Sequence, residues 1–141
     1  MTSQSVNIQS AKEAGLAVTR AWMLGDLSLV EARLQDWVVL GGEKEVEYWV
    51  QRVYADACLE RSTLSVSVRK AEQLAKTAGD EVALARIAAA VIDALYSDWY
   101  SSRDARQWLD VLRGVAYARL LALPAPQRLA IAAGILAADL F

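Results

Sequence analysis

Carboxylates and one thiol are the side chains of this chain that could carry out chemistry, and no histidine accompanies them. Two carboxylate pairs lie close together along the sequence, Glu43 with Glu47 and Asp93 with Asp98. Paired carboxylates can serve as general acid and general base when a pocket raises the pKa of one of them. Both pairs fall in capping or solvated contexts, and spacing alone raises no pKa. We therefore expect no catalytic residue and no enzymatic activity.

The absence of histidine excludes several mechanisms at once. Histidine is the commonest metal ligand and the one side chain whose unperturbed pKa lies near neutral pH. Without it, a Ser–His or Cys–His nucleophile, a zincin, a haem on a proximal histidine and a ferritin-type di-iron site are excluded. Cys58 has no histidine to activate it, and we expect a buried, inert thiol. The sequence thus predicts neither a metal site nor a cofactor.

The densest mixture of aromatic and charged residues lies between positions 96 and 108. Polar groups beside exposed rings at a helix junction are typical of a recognition surface, because Trp, Tyr and Arg dominate binding hot spots. The alternative is an ordinary capped corner whose rings pack inward. We predict an interaction site at this corner, formed by Tyr96, Trp99, Tyr100, Arg103, Arg106 and Trp108.

Small residues recur at intervals of four near the end of the chain, at Ala130, Gly134 and Ala138. Small residues at this spacing let a second helix approach closely. The pattern fits either internal packing of the last helix or the interface of a homodimer. We include these three residues in the predicted interaction surface.

Helical periodicity runs almost from end to end, and glycines and prolines divide it into segments. Gly25, Gly41 and Gly79 end three segments, and Ser28 with Glu31 forms a capping box. The segment 64–68 alternates like a short strand but continues into a good helix, so we assign it as helix. The predicted helices cover about 10–24, 28–40, 43–61, 63–78, 80–100, 101–122 and 126–141.

This pattern predicts an all-α fold, a compact bundle of about six or seven helices. The helix at 80–100 is apolar on most of its circumference and leaves only Arg86, Asp93 and Ser97 as a thin polar line. A helix of this kind lies between others, so we expect it to be central. Residues 1–9 read as a flexible N-terminal arm and residues 10–141 as a single helical domain.

Composition indicates contact with another molecule. The 141 residues are 55% apolar, slightly above the usual range, which favours a surface that meets a partner over an unusually apolar monomer. The net charge of −2 leaves no basic footprint for nucleic acid. Since no stretch approaches about 18 apolar residues, we expect no membrane span. The lone Cys58 and the lack of a signal peptide predict a cytoplasmic protein.

These observations predict a non-enzymatic helical protein–protein interaction module, acting as a homo-oligomer or as a small subunit of a larger assembly. One alternative is a regulatory domain that binds a small apolar ligand in an aromatic pocket between helices. A second alternative is a nucleic-acid-associated helical subunit, with residues 68–77 as the recognition helix. The preceding helix lacks the sharp glycine-containing turn of a helix-turn-helix pair, so we do not expect a nucleic-acid partner.

Overall fold

A computed structural model describes residues 10–59 and 62–98, together with nine single positions further along the chain (107, 108, 110, 111, 121, 125, 128, 129 and 132). These residues contain no strand, which confirms the all-α prediction. The segment 64–68 is helical, so its assignment as helix is confirmed too. The helices are α1 (Ala11–Met23), α2 (Leu27–Val39), α3 (Val46–Cys58), α4 (Leu64–Ala78) and α5 (Glu81–Asp98), with a 3-10 turn (Gly42–Lys44) before α3.

The five helices account for five of the six or seven that the sequence predicts. The last two predicted helices cover 101–122 and 126–141, and most of their residues lie outside the described part of the chain, as does the predicted arm at 1–9. The nine single positions are all helical. One of them, Ala125, is one residue before the predicted start of the last helix. The total number of helices therefore remains a prediction.

Glycines and short polar side chains mark the helix ends much as the sequence predicts. Gly25, Gly41 and Gly79 have φ values of 69°, 87° and 66°, the left-handed conformation that ends helices with least strain in glycine. The hydroxyl of Ser10 accepts a hydrogen bond from the backbone of α1, and the carboxylate of Asp80 does the same for α5. These caps bond N–H groups that have no partner inside the helix.

The start of α2 differs from the prediction, because Asp26 and not Ser28 is its N-cap. The Asp26 carboxylate accepts a hydrogen bond from the backbone N–H of Leu29 at 3.1 Å. The predicted capping box is wrong, since Glu31 has a different role. Its carboxylate accepts a hydrogen bond from Arg52 of α3 at 2.9 Å.

The sequence also places the start of the third helix too early, at Glu43 instead of Val46. Two indole N–H groups hold the residues between as a 3-10 turn. Trp49 donates to the Glu43 carbonyl and Trp37 donates to the Glu45 carboxylate, each at 2.7 Å. The Glu45 carboxylate and the Glu43 carbonyl therefore bind indole N–H groups and hold the 3-10 turn.

Two apolar clusters meet at α3, which contributes residues to both. The first cluster joins α1 and α2 to α3, and its buried members are Ala14, Val18, Ala21, Val30, Leu34, Trp37, Tyr48 and Ala55. The second cluster joins α3 to α4, α5 and Trp108. Its buried members are Val50, Val53, Ala71, Ala75, Ala83, Ala85, Ile87, Ala88, Ala89, Ala90, Val91 and Trp108.

The most central of the described helices is α3, which packs against α1, α2, α4 and α5. The sequence predicts this position for the helix at 80–100. The burial of that helix is confirmed, because residues 83–91 are all buried except Leu84, which is partly buried. Among the described helices its main neighbours are α3 and α4, and its contacts with the last two predicted helices lie outside the described residues, so its central position stays a prediction.

Trp37 illustrates how closely the first cluster is packed. Its indole lies between Gly15 of α1 and Gly42 of the 3-10 turn. A Cβ atom added at Gly42 would lie 2.3 Å from Cδ1 of the ring, and one added at Gly15 would lie 3.2 Å from Cη2. Because neither glycine has a Cβ atom, the Trp37 indole can occupy the space between them.

We expect Gly42→Ala to lower the free energy of unfolding by about 3 kcal/mol, because the added methyl group overlaps the Trp37 ring. Gly25→Ala is the control, since its Cβ would meet nothing within 4 Å. That change costs only the left-handed backbone conformation, about 1 kcal/mol. Urea unfolding followed by tryptophan fluorescence measures both losses. Equal losses in the two variants would contradict the tight contact at Gly42.

Candidate functional site

Polar side chains are buried on α3, and two of them bond to neighbouring helices. Gln51, Arg52 and Asp56 are all buried, although they lie in the middle of an amphipathic helix. A buried charge that lacks a partner costs several kcal/mol. The position of α3 therefore depends on the partners that the other helices supply.

Arg52 connects α3 to α2 through Glu31. Its Nη1 atom donates to both carboxylate oxygens of Glu31, at 2.9 and 3.0 Å. Nε and Nη2 donate to the Tyr48 hydroxyl at 3.4 and 3.3 Å, and the guanidinium lies 5.8 Å from the centre of that ring. Burial by itself lowers the pKa of Arg52, but the hydrogen bonds to Tyr48 and Glu31 outweigh it and raise that pKa.

Arg86 connects α5 to α3 through Glu47. Its Nη2 atom donates to Oε1 of Glu47 at 3.0 Å, and Nη1 donates to Oε2. Gln51 donates to the same Oε1 at 2.8 Å. The Arg86 side chain is 8% exposed and that of Glu47 is 46% exposed, so the pair extends from the interior to the surface.

Tyr54 of α3 lies beside Arg86. Burial raises the pKa of the Tyr54 phenol above its ordinary value, and the Arg86 guanidinium acts in the opposite direction. Burial lowers the pKa of Arg86, but Glu47 and Tyr54 together outweigh burial and raise it. Arg86 therefore stays charged and Tyr54 stays protonated through the neutral range.

Asp56 connects α3 to the start of α4. Its Oδ2 atom accepts hydrogen bonds from the hydroxyls of Ser67 at 2.6 Å and Thr63 at 3.2 Å. Asp56 and Ser67 are both buried. The carboxylate thus positions the first turns of α4 against α3.

These hydrogen bonds and ion pairs hold the helices in contact with one another. The buried ionisable side chains Arg52, Asp56 and Arg86 each have a partner on another helix or on the connection before it. Among the residues that the structure describes, no group of three or more His, Cys, Asp or Glu side chains could hold a metal ion. No helix in the same part of the chain is long and apolar enough to cross a membrane.

Three described aromatic rings, of Trp37, Tyr48 and Trp49, form a compact group between α2 and α3. Trp37 and Tyr48 meet edge to face with centroids 5.6 Å apart, and Tyr48 and Trp49 do so at 5.1 Å. Both indole N–H groups donate within the chain. These rings fill the interior and hold the 3-10 turn, as core aromatic residues do.

The predicted interaction site falls largely outside the described residues. The side chain of Trp108 is described, and it is buried in the cluster around α5. For this residue the ring packs inward. Tyr96 lies in α5, and its side chain is outside the description. The remaining predicted residues also lie outside it, namely Trp99, Tyr100, Arg103, Arg106, Ala130, Gly134 and Ala138.

The structure shows an exposed apolar surface that sequence reasoning missed, on the outer side of α1 and the residue after it. Leu16, Met23 and Leu24 are 50%, 82% and 73% exposed. We call these three residues the α1 surface. The inward side of the same helix fully buries Ala14, Val18 and Ala21, and the larger Trp22 packs partly buried against the same cluster. A helical wheel would have revealed the α1 surface, because large apolar residues fall on both sides of α1.

One further sequence prediction is wrong, because Cys58 is exposed. It is the last residue of α3. The helical periodicity that buries other side chains of α3 does not bury Cys58, because this residue lies at the end of the helix, before the connection to α4.

The described fold defines an all-α helical protein whose buried charges link its helices. Comparisons of the chain with protein-family models, with curated proteins and with solved structures give no match.

We expect Glu47→Ala to lower the free energy of unfolding more than Arg86→Leu does. Loss of Glu47 leaves a buried guanidinium without its carboxylate, at a cost of about 3 kcal/mol. Loss of Arg86 leaves a carboxylate that is already 46% exposed and places an apolar side chain among apolar neighbours, at a cost below about 1.5 kcal/mol. Urea unfolding measures both values, and the reverse order would show that the pair is not anchored as described.

We expect the stability of the protein to fall above about pH 10, partly through Tyr54. Because burial raises the folded-state pKa of Tyr54, the folded protein keeps the phenolic proton where the unfolded chain loses it. The contribution is complete below the unfolded pKa and is lost as pH rises through the folded pKa. Tyr54→Phe should therefore lose less unfolding free energy between about pH 9.5 and 11 than the wild type does. Parallel curves for the two proteins, measured by urea unfolding, would rule out this role.

Proposed function

We propose that the protein is a non-enzymatic helical interaction module, acting as a homo-oligomer or as a small subunit of a larger assembly. The observation that carries the proposal is the α1 surface. Its three large apolar side chains are exposed to water on the outer side of α1 and at the residue after it. Large exposed apolar side chains grouped on one side of a helix are typical of interaction sites.

The spacing of the α1 surface suits contact with another helix. Leu16 and Met23 are two helical turns apart, and Leu24 follows at the end of the helix. Helices that dock in grooves use anchors at this spacing. Lys12 and Arg20 are exposed on the same side. They supply the polar rim that surrounds the apolar centre of many interfaces.

The use of charge inside the protein supports a function without catalysis. The buried Arg52, Asp56 and Arg86 are engaged in contacts between helices. A catalytic acid or base would need to face a substrate with a pKa tuned to its task. These three buried groups instead stabilise the packing of α3.

The proposal also includes the parts of the chain beyond the described residues. We propose that the corner at 96–106, without the buried Trp108, and the small-residue face at Ala130, Gly134 and Ala138 extend the contact surface, within a bundle of six or seven helices. The single cysteine favours a reducing compartment, and we place the protein in the cytoplasm.

The test compares two substitutions at equally exposed apolar residues. Met23 is 82% exposed and belongs to the α1 surface, whereas Val39 is 84% exposed at the end of α2. We expect the wild type to have a solution mass above the 15.4 kDa of one chain. Met23→Glu should return the mass to that of one chain, because a charge in an apolar interface is costly. Val39→Glu should leave the larger mass unchanged.

Light scattering over a range of protein concentrations measures these masses, and circular dichroism confirms that both variants stay folded. A wild type that remains at 15.4 kDa at every concentration, and that captures no partner whose binding Met23→Glu abolishes, would contradict the proposal. Equal behaviour of Met23→Glu and Val39→Glu would show that the α1 surface is not the contact.

A further inference from the structure

The outer face of α4 is basic along its length. Arg69, Lys70, Gln73 and Lys76 are exposed, and Val66 lies half-exposed one turn before the first two cations. We call these five residues the α4 surface. The face opposite packs inward through Ser67, Ala71 and Ala75. The cations therefore stand on a helix whose position is set by the core.

The charges of the α4 surface are left without strong partners. Arg69 and Lys70 have no ion pair among the described residues, and Lys76 meets only Glu72, at 3.7 Å. Glu72 is the one acidic residue of α4. In contrast, three described arginines on other helices, Arg33, Arg52 and Arg86, are each paired with a carboxylate.

We infer that the α4 surface binds an acidic amphipathic segment of a partner protein. The cations would meet carboxylates of the partner, and Val66 would meet an apolar side chain between them. Opposite charges across an interface steer association and select the partner. The inference rests on the proposed function, because it names the chemistry of one partner of the interaction module.

A protein partner fits this surface better than nucleic acid does. Proteins that bind nucleic acid tightly commonly neutralise about 6–10 phosphates, and they carry a basic charge balance. The α4 surface offers three cations on a chain whose net charge is −2. The exposed Val66, one turn before Arg69 and Lys70, suits an apolar side chain better than it suits a phosphate backbone.

The experiment uses a fluorescein-labelled synthetic peptide that carries Glu and Leu at helical spacing, with full-length protein and fluorescence anisotropy as the readout. Arg69→Glu combined with Lys70→Glu should weaken binding by about tenfold, and added salt should weaken the wild type in the same direction. Lys44→Glu combined with Arg128→Glu is the matched control. These two cations are exposed outside α4 and outside the α1 surface, and the change in net charge is identical. The control should bind as the wild type does.

Three outcomes would overturn the inference. The wild type fails to bind the peptide, the control loses as much affinity as the α4 variant, or a single-stranded oligonucleotide of equal charge binds more tightly than the peptide. Folding is checked by circular dichroism, and Arg69→Gln combined with Lys70→Gln should give an intermediate loss. A negative peptide-binding result would not change the solution mass expected for Met23→Glu. The two experiments therefore test the α4 surface and the α1 surface independently.

Discussion

The buried charges at the contacts of α3 require partners, and this requirement fixes where three other helices lie. Arg52 needs a carboxylate from α2, the carboxylate of Asp56 needs hydroxyl donors at the start of α4, and Arg86 of α5 needs Glu47 of α3. Each pair joins α3 to a different element, so α3 cannot rotate or slide without breaking several contacts at once. A buried charge that loses its partner costs several kcal/mol, which makes such shifts unfavourable.

The apolar clusters stabilise the fold, but they would not by themselves fix the register of the helices. Much of the buried surface of α4 and α5 is alanine, which presents few distinct shapes for packing. A shift of α5 by one turn would bury similar apolar area, yet it would leave Arg86 without Glu47. The free-energy cost of leaving Arg86 unpaired makes the observed register more stable than a register shifted by one turn. In the first cluster, Trp37 between Gly15 and Gly42 has the same effect through shape alone.

Local patterns were sufficient to predict α1, α4 and α5, because apolar periodicity and glycine stops are properties of neighbouring residues. These local patterns failed where the position of a side chain depends on a partner that is distant in the sequence. The pattern placed Arg86 on a thin polar line, whereas its side chain is buried and pairs with Glu47, which lies 39 residues earlier. Glu31 likewise does not form the predicted capping box, because its carboxylate accepts a hydrogen bond from Arg52, which lies 21 residues later. The predicted site at 96–108 and 130–138 falls mostly outside the described residues, so sequence remains its main support.

The proposed contact surfaces consist of side chains that the protein's own packing does not use. The charges near α3 form contacts between helices, whereas large apolar residues of α1 are exposed and Arg69 and Lys70 of α4 have no ion pair among the described residues. The two surfaces are backed by different clusters, since α1 packs on α2 and α3, while α4 packs on α3 and α5. A partner bound at one surface therefore need not disturb the packing beneath the other. Because α3 belongs to both clusters, its paired charges hold the two surfaces in a fixed relation, which a module with two contacts requires.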